Sequence, residues 1–183
     1  MAQVRPVPPV KLIVGMLSQS ELLFEAAREK MPIGWGVIDI VGEVLPFDYT
    51  DYYFKQMGAP LLRQFVSFER LIDPGALAPI KHQSNAWEEE LGQLESGRAL
   101  KVERPINLDP GYVEPSKLVL ATTKNYSHRI YIGEALYAET TLRYHQGRWD
   151  TWPFTYPDYG GGAYDEFLTK VRDRLMEQLS SQK

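Results

Sequence analysis

The chain contains no cysteine and three histidines in 183 residues. Without a thiol there is no cysteine nucleophile, disulfide, iron–sulfur cluster or Cys-based zinc site. His82, His128 and His145 are too far apart in sequence to form a His-x-x-x-His metal pair. Long apolar runs are also missing: Leu12–Leu17 is interrupted by Gly15, and nothing approaches the roughly 18 residues of a membrane span. Charge of one sign is scarce as well. A formal net charge of −4 argues against a protein that coats nucleic acid or an acidic membrane. The expectation is a cytoplasmic protein with no membrane contact, for which nucleic acid is a poor partner.

The standard phosphate and nucleophile motifs are absent too. Gly111–Lys117 lacks the second glycine and the spacing of a P-loop. Gly15 stands alone within the first apolar run, and Gly34-Trp-Gly36 has no third glycine, so no dinucleotide fingerprint exists. No Gly-x-Ser-x-Gly elbow is present.

What is there reads as one α+β domain over residues 1–183. Prolines make 1–10 an extended leader. Lys11–Leu17 is a short buried strand, and Ser18-Gln-Ser-Glu21 has the pattern of a capping box opening a helix that stops at Met31-Pro32. That helix is expected to face Leu22, Leu23, Ala26 and Ala27 inward. A second strand follows over Trp35–Val44, then a loop or short helix over Pro46–Gly58 and an alternating strand over Leu62–Ile72. Leu77, Ile80, Ser84, Trp87, Leu91 and Leu94 hold one helical face after Pro74, with Gly97 as the stop. Leu100–Asn107 completes a βαββαβ order, the pattern of a ferredoxin-like core over 11–109.

Asp109-Pro-Gly111 reads as a turn. Beyond it the chain is rich in aromatics, with ten between Tyr126 and Tyr164 and twelve in all the rest. Residues 110–160 are therefore expected to form an antiparallel hairpin extension, turning at Gly133-Glu134 and Gln146-Gly147, and 163–179 an amphipathic C-terminal helix. The Gly133-Glu134 turn sets His128 opposite Glu139, a pair suited to general acid/base work or to plain cross-strand pairing.

Arg98–Arg129 carries six basic and three acidic residues, a local +3 in an acidic chain. Arg104, Lys117, Lys124 and Arg129 are the candidates to neutralise an anionic ligand, with Asn107 and Asp109 to orient it. Tyr112 and Tyr156 are the candidates to stack on it or hydrogen-bond to it. The bland alternative leaves the lysines solvated and Asp109 as a turn former. Asp109 and Asp158 are carboxylates able to hold a divalent cation such as magnesium.

Several blocks together resemble a known family. They are Phe47-Asp-Tyr-Thr-Asp-Tyr-Tyr53, Asn107-Leu-Asp-Pro-Gly-Tyr112, Leu120-Ala-Thr-Thr-Lys124 with His128-Arg-Ile-Tyr131, Glu139-Thr-Thr-Leu142 and Thr155-Tyr-Pro-Asp-Tyr159. In that order they look like the signature of a prokaryotic family, domain of unknown function 4416. The resemblance implies a stand-alone protein of about this length and no particular mechanism. Some members are labelled GTP-binding, a label for which this chain offers neither a P-loop nor an Asn-Lys-x-Asp guanine reader. Two expectations follow. One is a pocket for a small anionic molecule, a nucleotide or another phosphorylated ligand, with phosphoryl transfer or hydrolysis through His128 and Glu139 if it is an enzyme. The other is a non-enzymatic, dimeric interaction module that pairs through the aromatic hairpins.

Overall fold

A computed structural model describes residues 3–181. Met1 and Ala2 of the expected leader lie outside the described residues. In chain order the elements are β1 (Val10–Ser18), α1 (Glu21–Trp35), β2 (Ile38–Val41), β3 (Leu45–Phe47), α2 (Phe54–Met57), β4 (Leu61–Ile72), α3 (Leu77–Gly92) and α4 (Glu95–Ala99). They continue with β5 (Ile106–Glu114), β6 (Lys117–Thr122), β7 (Ile130–Gly133), β8 (Leu136–His145), β9 (Arg148–Thr151), α5 (Pro157–Gly160) and α6 (Asp165–Ser180). Among the described residues this is a mixed α and β protein with six α-helices and one nine-stranded antiparallel sheet. The strand order is β2-β4-β1-β5-β6-β8-β7, with β3 also on β4 and β9 also on β8. No helix among the described residues is long and apolar enough to cross a membrane.

Every residue of β1 is buried, because both of its faces are covered. Leu12, Val14 and Met16 join Val66 and Phe68 of β4 under α1 and α3, where Leu23, Phe24, Trp35 and Trp87 close the larger core. On the opposite face, Ile13 and Phe65 pack with Leu118, Leu120 and Leu142 beneath Phe167, Leu168 and Val171 of α6. The alternation of β4 predicts this division, since successive strand side chains point to opposite faces.

Several local expectations are corrected. α1 runs through Pro32 for one more turn, since burying Trp35 in the core and the Gly36 N–H bond to the Pro32 carbonyl support that turn. Its inward face includes Phe24, and Leu22 is exposed. Ser18 Oγ accepts from the Ser20 N–H and donates to the Pro105 carbonyl, so the capping box does not form and Ser20 is the N-cap. The second strand is shorter than expected and is followed by a separate short strand, β3, both on β4. Gly97 lies inside α4, α3 having already ended at Gly92, and Leu94 is exposed.

The largest correction concerns Asp109-Pro-Gly111, which lies inside β5 and makes no turn. Gly15 of β1 faces Asp109, and Ile13 faces Gly111. A Cβ on Gly111 would sit 2.4 Å from the Val119 carbonyl oxygen, so glycine here allows close strand approach. Pro110 is tolerated because its nitrogen faces the same side of the strand as the Leu108 amide, away from β1. On that side β5 and β6 are paired only from Gly111 to Glu114. Below Gly111 the two strands part, although β5 stays paired to β1 down to Ile106. The hairpins after β5 thus continue the same sheet, and the fork between β5 and β6 opens a cleft.

Candidate functional site

The freed edge of β5 is satisfied by polar side chains of α3. The Leu108 N–H donates to Glu88 Oε1 at 2.7 Å, and its carbonyl accepts from Lys81 Nζ at 2.8 Å and Ser84 Oγ at 3.3 Å. Lys81, Ser84 and Glu88 stand three and four residues apart, so one helical face delivers all three. A ladder of polar contacts continues from them. Arg104 Nε and Nη2 donate to Glu88 Oε2 at 2.9 and 2.6 Å, Arg104 also donates to Asn107 Oδ1, and Asn107 Nδ2 donates to Asp109 Oδ2 at 2.6 Å. Lys81 Nζ is 3.4 Å from Asp109 Oδ1.

Above this ladder lies a cleft of about 1330 Å³. Phe47, Tyr49, Tyr52 and Tyr53, from β3 and the turn after it, form one wall, and Tyr156 and Asp158 border it from the N-cap and first turn of α5. The end of β6 contributes Thr122, the segment after it Lys124, and β8 Glu139.

Arg63 of β4 belongs to the floor, and its side chain is only 3% exposed. The guanidinium lies over the rings of Phe47 and Phe65 at 4.9 and 5.6 Å. Nη2 reaches Asp158 Oδ2 at 3.5 Å, and Nη1 is 3.7 Å from Asp109 Oδ2, too far for a hydrogen bond. Nε and Nη1 are buried with no hydrogen-bond partner. Gly15 makes room for this group, since a Cβ there would lie 3.2 Å from Nη1.

The two floor carboxylates differ in their surroundings. Burial works against ionisation of Asp109, but the charges of Lys81, Arg63 and Arg104 and the Asn107 bond outweigh it and hold the group below the ordinary aspartate value. Burial pushes Asp158 up, and the Arg63 charge and the Tyr164 hydroxyl offset this only in part. Burial likewise raises the phenol of Tyr53.

Of the residues expected from sequence, the cleft gathers Arg104, Asn107, Asp109, Lys124, Glu139, Tyr156 and Asp158. Tyr112 and Lys117 are not part of its lining. Tyr112 packs against the apolar cluster under α3, and Lys117 pairs with Glu114 across the β5–β6 turn. Arg129 stands behind the lining, donating to Glu139 Oε2 at 2.7 Å and to the Tyr156 hydroxyl.

His128 Nε2 and Glu139 Oε2 are 3.0 Å apart, by a route the sequence did not predict. The turn is Glu134-Ala135, both with positive φ, and Ile130 faces Ala138, so the register is shifted from the expected one. His128 precedes β7 and reaches Glu139 from a turn, stacked on Phe154 at 4.0 Å. It does not line the cleft. Asp109 and Asp158 both face Arg63, whose guanidinium supplies the positive charge between them. Among the described residues no group of three His, Asp or Glu side chains is placed to hold a metal ion.

Sequence reading missed Arg63, Lys81 and Glu88. The available signals were a charged residue amid the apolar start of β4 and a polar row beside the apolar stripe of α3.

The model of one protein family, described as Domain of unknown function (DUF4416), matches residues 8–175, and the chain belongs to that family. No curated protein and no solved structure matches it.

Proposed function

We propose that this member of the DUF4416 family binds a small anionic molecule in the forked cleft, with Arg63 as the anchor. The observation that carries the proposal is the buried guanidinium on the cleft floor with two nitrogens lacking acceptors. A buried donor without a partner costs about 1–3 kcal/mol, and an oxyanion placed against it recovers that loss. The cleft exceeds the range of about 300–1,000 Å³ usual for small-molecule sites, so it has room for a ligand of nucleotide size. Arg104, Asn107 and Asp109 fix the geometry of the floor from behind. The order β2-β4-β1-β5, crossed over through α1 and α3, supports a ferredoxin-like reading of the first half, with the β6–β9 strands added at its β5 edge. Cytoplasmic residence belongs to the same reading.

Binding, without a reaction, is what the side chains favour. Glu139 is engaged by both His128 and Arg129, and the imidazole sits outside the cleft lining. A second reading, a dimeric module, draws on one observation: Ile130 and Tyr131 are exposed on β7, which ends the sheet.

A thermal-shift panel of nucleotides, sugar phosphates and small carboxylates tests the proposal. A ligand at about 100 times its Kd stabilises by about 2.7 kcal/mol, which raises Tm by roughly 5–10 °C in a chain of this size. Arg104→Ala is expected to shrink that rise, because it frees Asn107 and leaves Glu88 without its guanidinium partner. A flat response to the whole panel would sink the cleft reading. Sedimentation as a dimer that Tyr131→Glu splits would then favour the module.

A further inference from the structure

We infer that the ligand carries a single oxyanion group, a phosphate monoester or a carboxylate, on an uncharged ring-bearing body, and that the cleft is not built for a polyphosphate. The inference rests on the anion-binding reading of the cleft and adds the ligand's charge and shape.

The first support is the state of the cations. Lys81 is engaged by the Leu108 carbonyl and Asp109, Arg104 by Glu88 and Asn107, and Lys124 by the Tyr52 hydroxyl. Arg98 is exposed to solvent, and among the described residues Arg63 alone of the lining cations combines burial with unused donors. One planar guanidinium serves one oxyanion group.

Charge balance is the second support. The cleft is lined by five cationic side chains, Arg63, Lys81, Arg98, Arg104 and Lys124, against six carboxylates, Glu88, Glu89, Glu103, Asp109, Glu139 and Asp158. Sites for chained phosphates carry a surplus of positive charge or a nest of free backbone amides. Here the Leu108 amide on the freed β5 edge is already taken by Glu88. Asp109 and Asp158 flank Arg63 at 3.7 and 3.5 Å. A second phosphate next to the first would meet carboxylate oxygens.

The wall supplies the third. Tyr52 and Tyr53 meet edge to face at 5.1 Å, and Phe47 contacts both Tyr49 and Tyr53 in the same manner. The hydroxyls of Tyr52 and Tyr156 are tied to Lys124 and Arg129, and the Lys124 ammonium lies over one face of the Tyr52 ring at 4.1 Å, so the exposed remainder of these two rings is the surface for the body of a ligand. A flat ring against such a surface gains about 2- to 12-fold in affinity beyond its area burial.

Calorimetric titration of the full chain with inorganic phosphate, pyrophosphate, tripolyphosphate, phenyl phosphate and benzoate, each with and without magnesium chloride, tests the inference. Pyrophosphate and tripolyphosphate are expected to bind no more than about threefold tighter than phosphate, since no charge surplus rewards the added groups. Phenyl phosphate or benzoate is expected to bind about tenfold tighter than phosphate, and the better of the two identifies the oxyanion. Tyr52→Ala, at a largely exposed position, should remove most of that aromatic gain. Affinity that climbs about tenfold with each added phosphate, in either magnesium condition, overturns the inference and leaves the anion cleft standing. The same holds for an absent aromatic gain. If none of the five probes binds, the anion-binding reading falls, and the inference with it.

Discussion

Arg63→Gln weakens binding of the best oxyanion probe by about 100-fold or more, the largest functional effect expected of any single substitution. Hydrogen bonds to a charged group contribute about 1.5–3 kcal/mol each, and losing two of them from a buried site exceeds the roughly 2.7 kcal/mol that 100-fold represents. Glutamine keeps a polar head of shorter reach, Asp109 retains Lys81 and Asn107 as partners, and Asp158, which loses the guanidinium, keeps the Tyr164 hydroxyl. The fold should therefore persist, which circular dichroism at 25 °C checks beside the titration. Binding reduced less than threefold in a folded variant would remove Arg63 from its role as anchor. Arg104→Ala should cost less, because that side chain positions Asn107 and Glu88 behind the floor.

The largest stability effect lies far from the cleft. Lys11 is fully buried in β1, and its ammonium donates to Asp39 Oδ2 at 2.6 Å, to the Phe68 carbonyl at 2.8 Å and to Gln178 Oε1 at 3.0 Å. One side chain thus joins β1, β2, β4 and α6. Lys11→Met keeps the volume, strands Asp39 and leaves a buried carbonyl unpaired, so a loss of about 3 kcal/mol is expected in urea unfolding. Burial opposes ionisation of Asp39, yet the bonds from Lys11 and Ser67 outweigh it and its pKa is lowered. A carboxylate with a depressed folded pKa stabilises fully above its unfolded value, and that contribution disappears as pH falls through the folded one. Wild type should accordingly lose this share of stability at pH below the ordinary aspartate range, and the difference from Lys11→Met should narrow there. A difference that stays constant into strong acid would contradict the pairing.

Periodicity made much of the frame legible. β1, β4, the α3 stripe from Leu77 to Leu91 and the C-terminal helix all follow from spacing of apolar residues, since burial on one face imposes that spacing. Asp109-Pro-Gly111 shows the limit. Its residues carry the chemistry of a turn, yet the strand prevails because α3 satisfies the Leu108 amide and the missing Pro110 N–H faces the fork. No local pattern reports a sheet that divides, as that depends on strands brought together from distant parts of the chain. The site was half legible for the same reason. Arg104, Asn107, Asp109, Glu139 and Asp158 stand in polar segments and attract notice. Arg63 and Lys81 lie inside apolar elements and acquire their meaning only from the cleft that forms above them. His128 and Glu139 were paired on a register that does not occur, and they meet because the turn before β7 folds back.

The claim that an anion completes the Arg63 site is tested most directly at the Arg63 Nε–H itself. In a ¹⁵N-labelled chain this resonance can be assigned by its loss in Arg63→Gln. Titration with phenyl phosphate should move the Arg63 Hε resonance downfield and slow its exchange with water, as a donor without an acceptor gains one. Arginine Nε–H resonances remote from the cleft, that of Arg174 beside Glu69 among them, should stay in place. An Arg63 Hε that keeps its shift and its exchange rate while the probe saturates the chain would contradict the account.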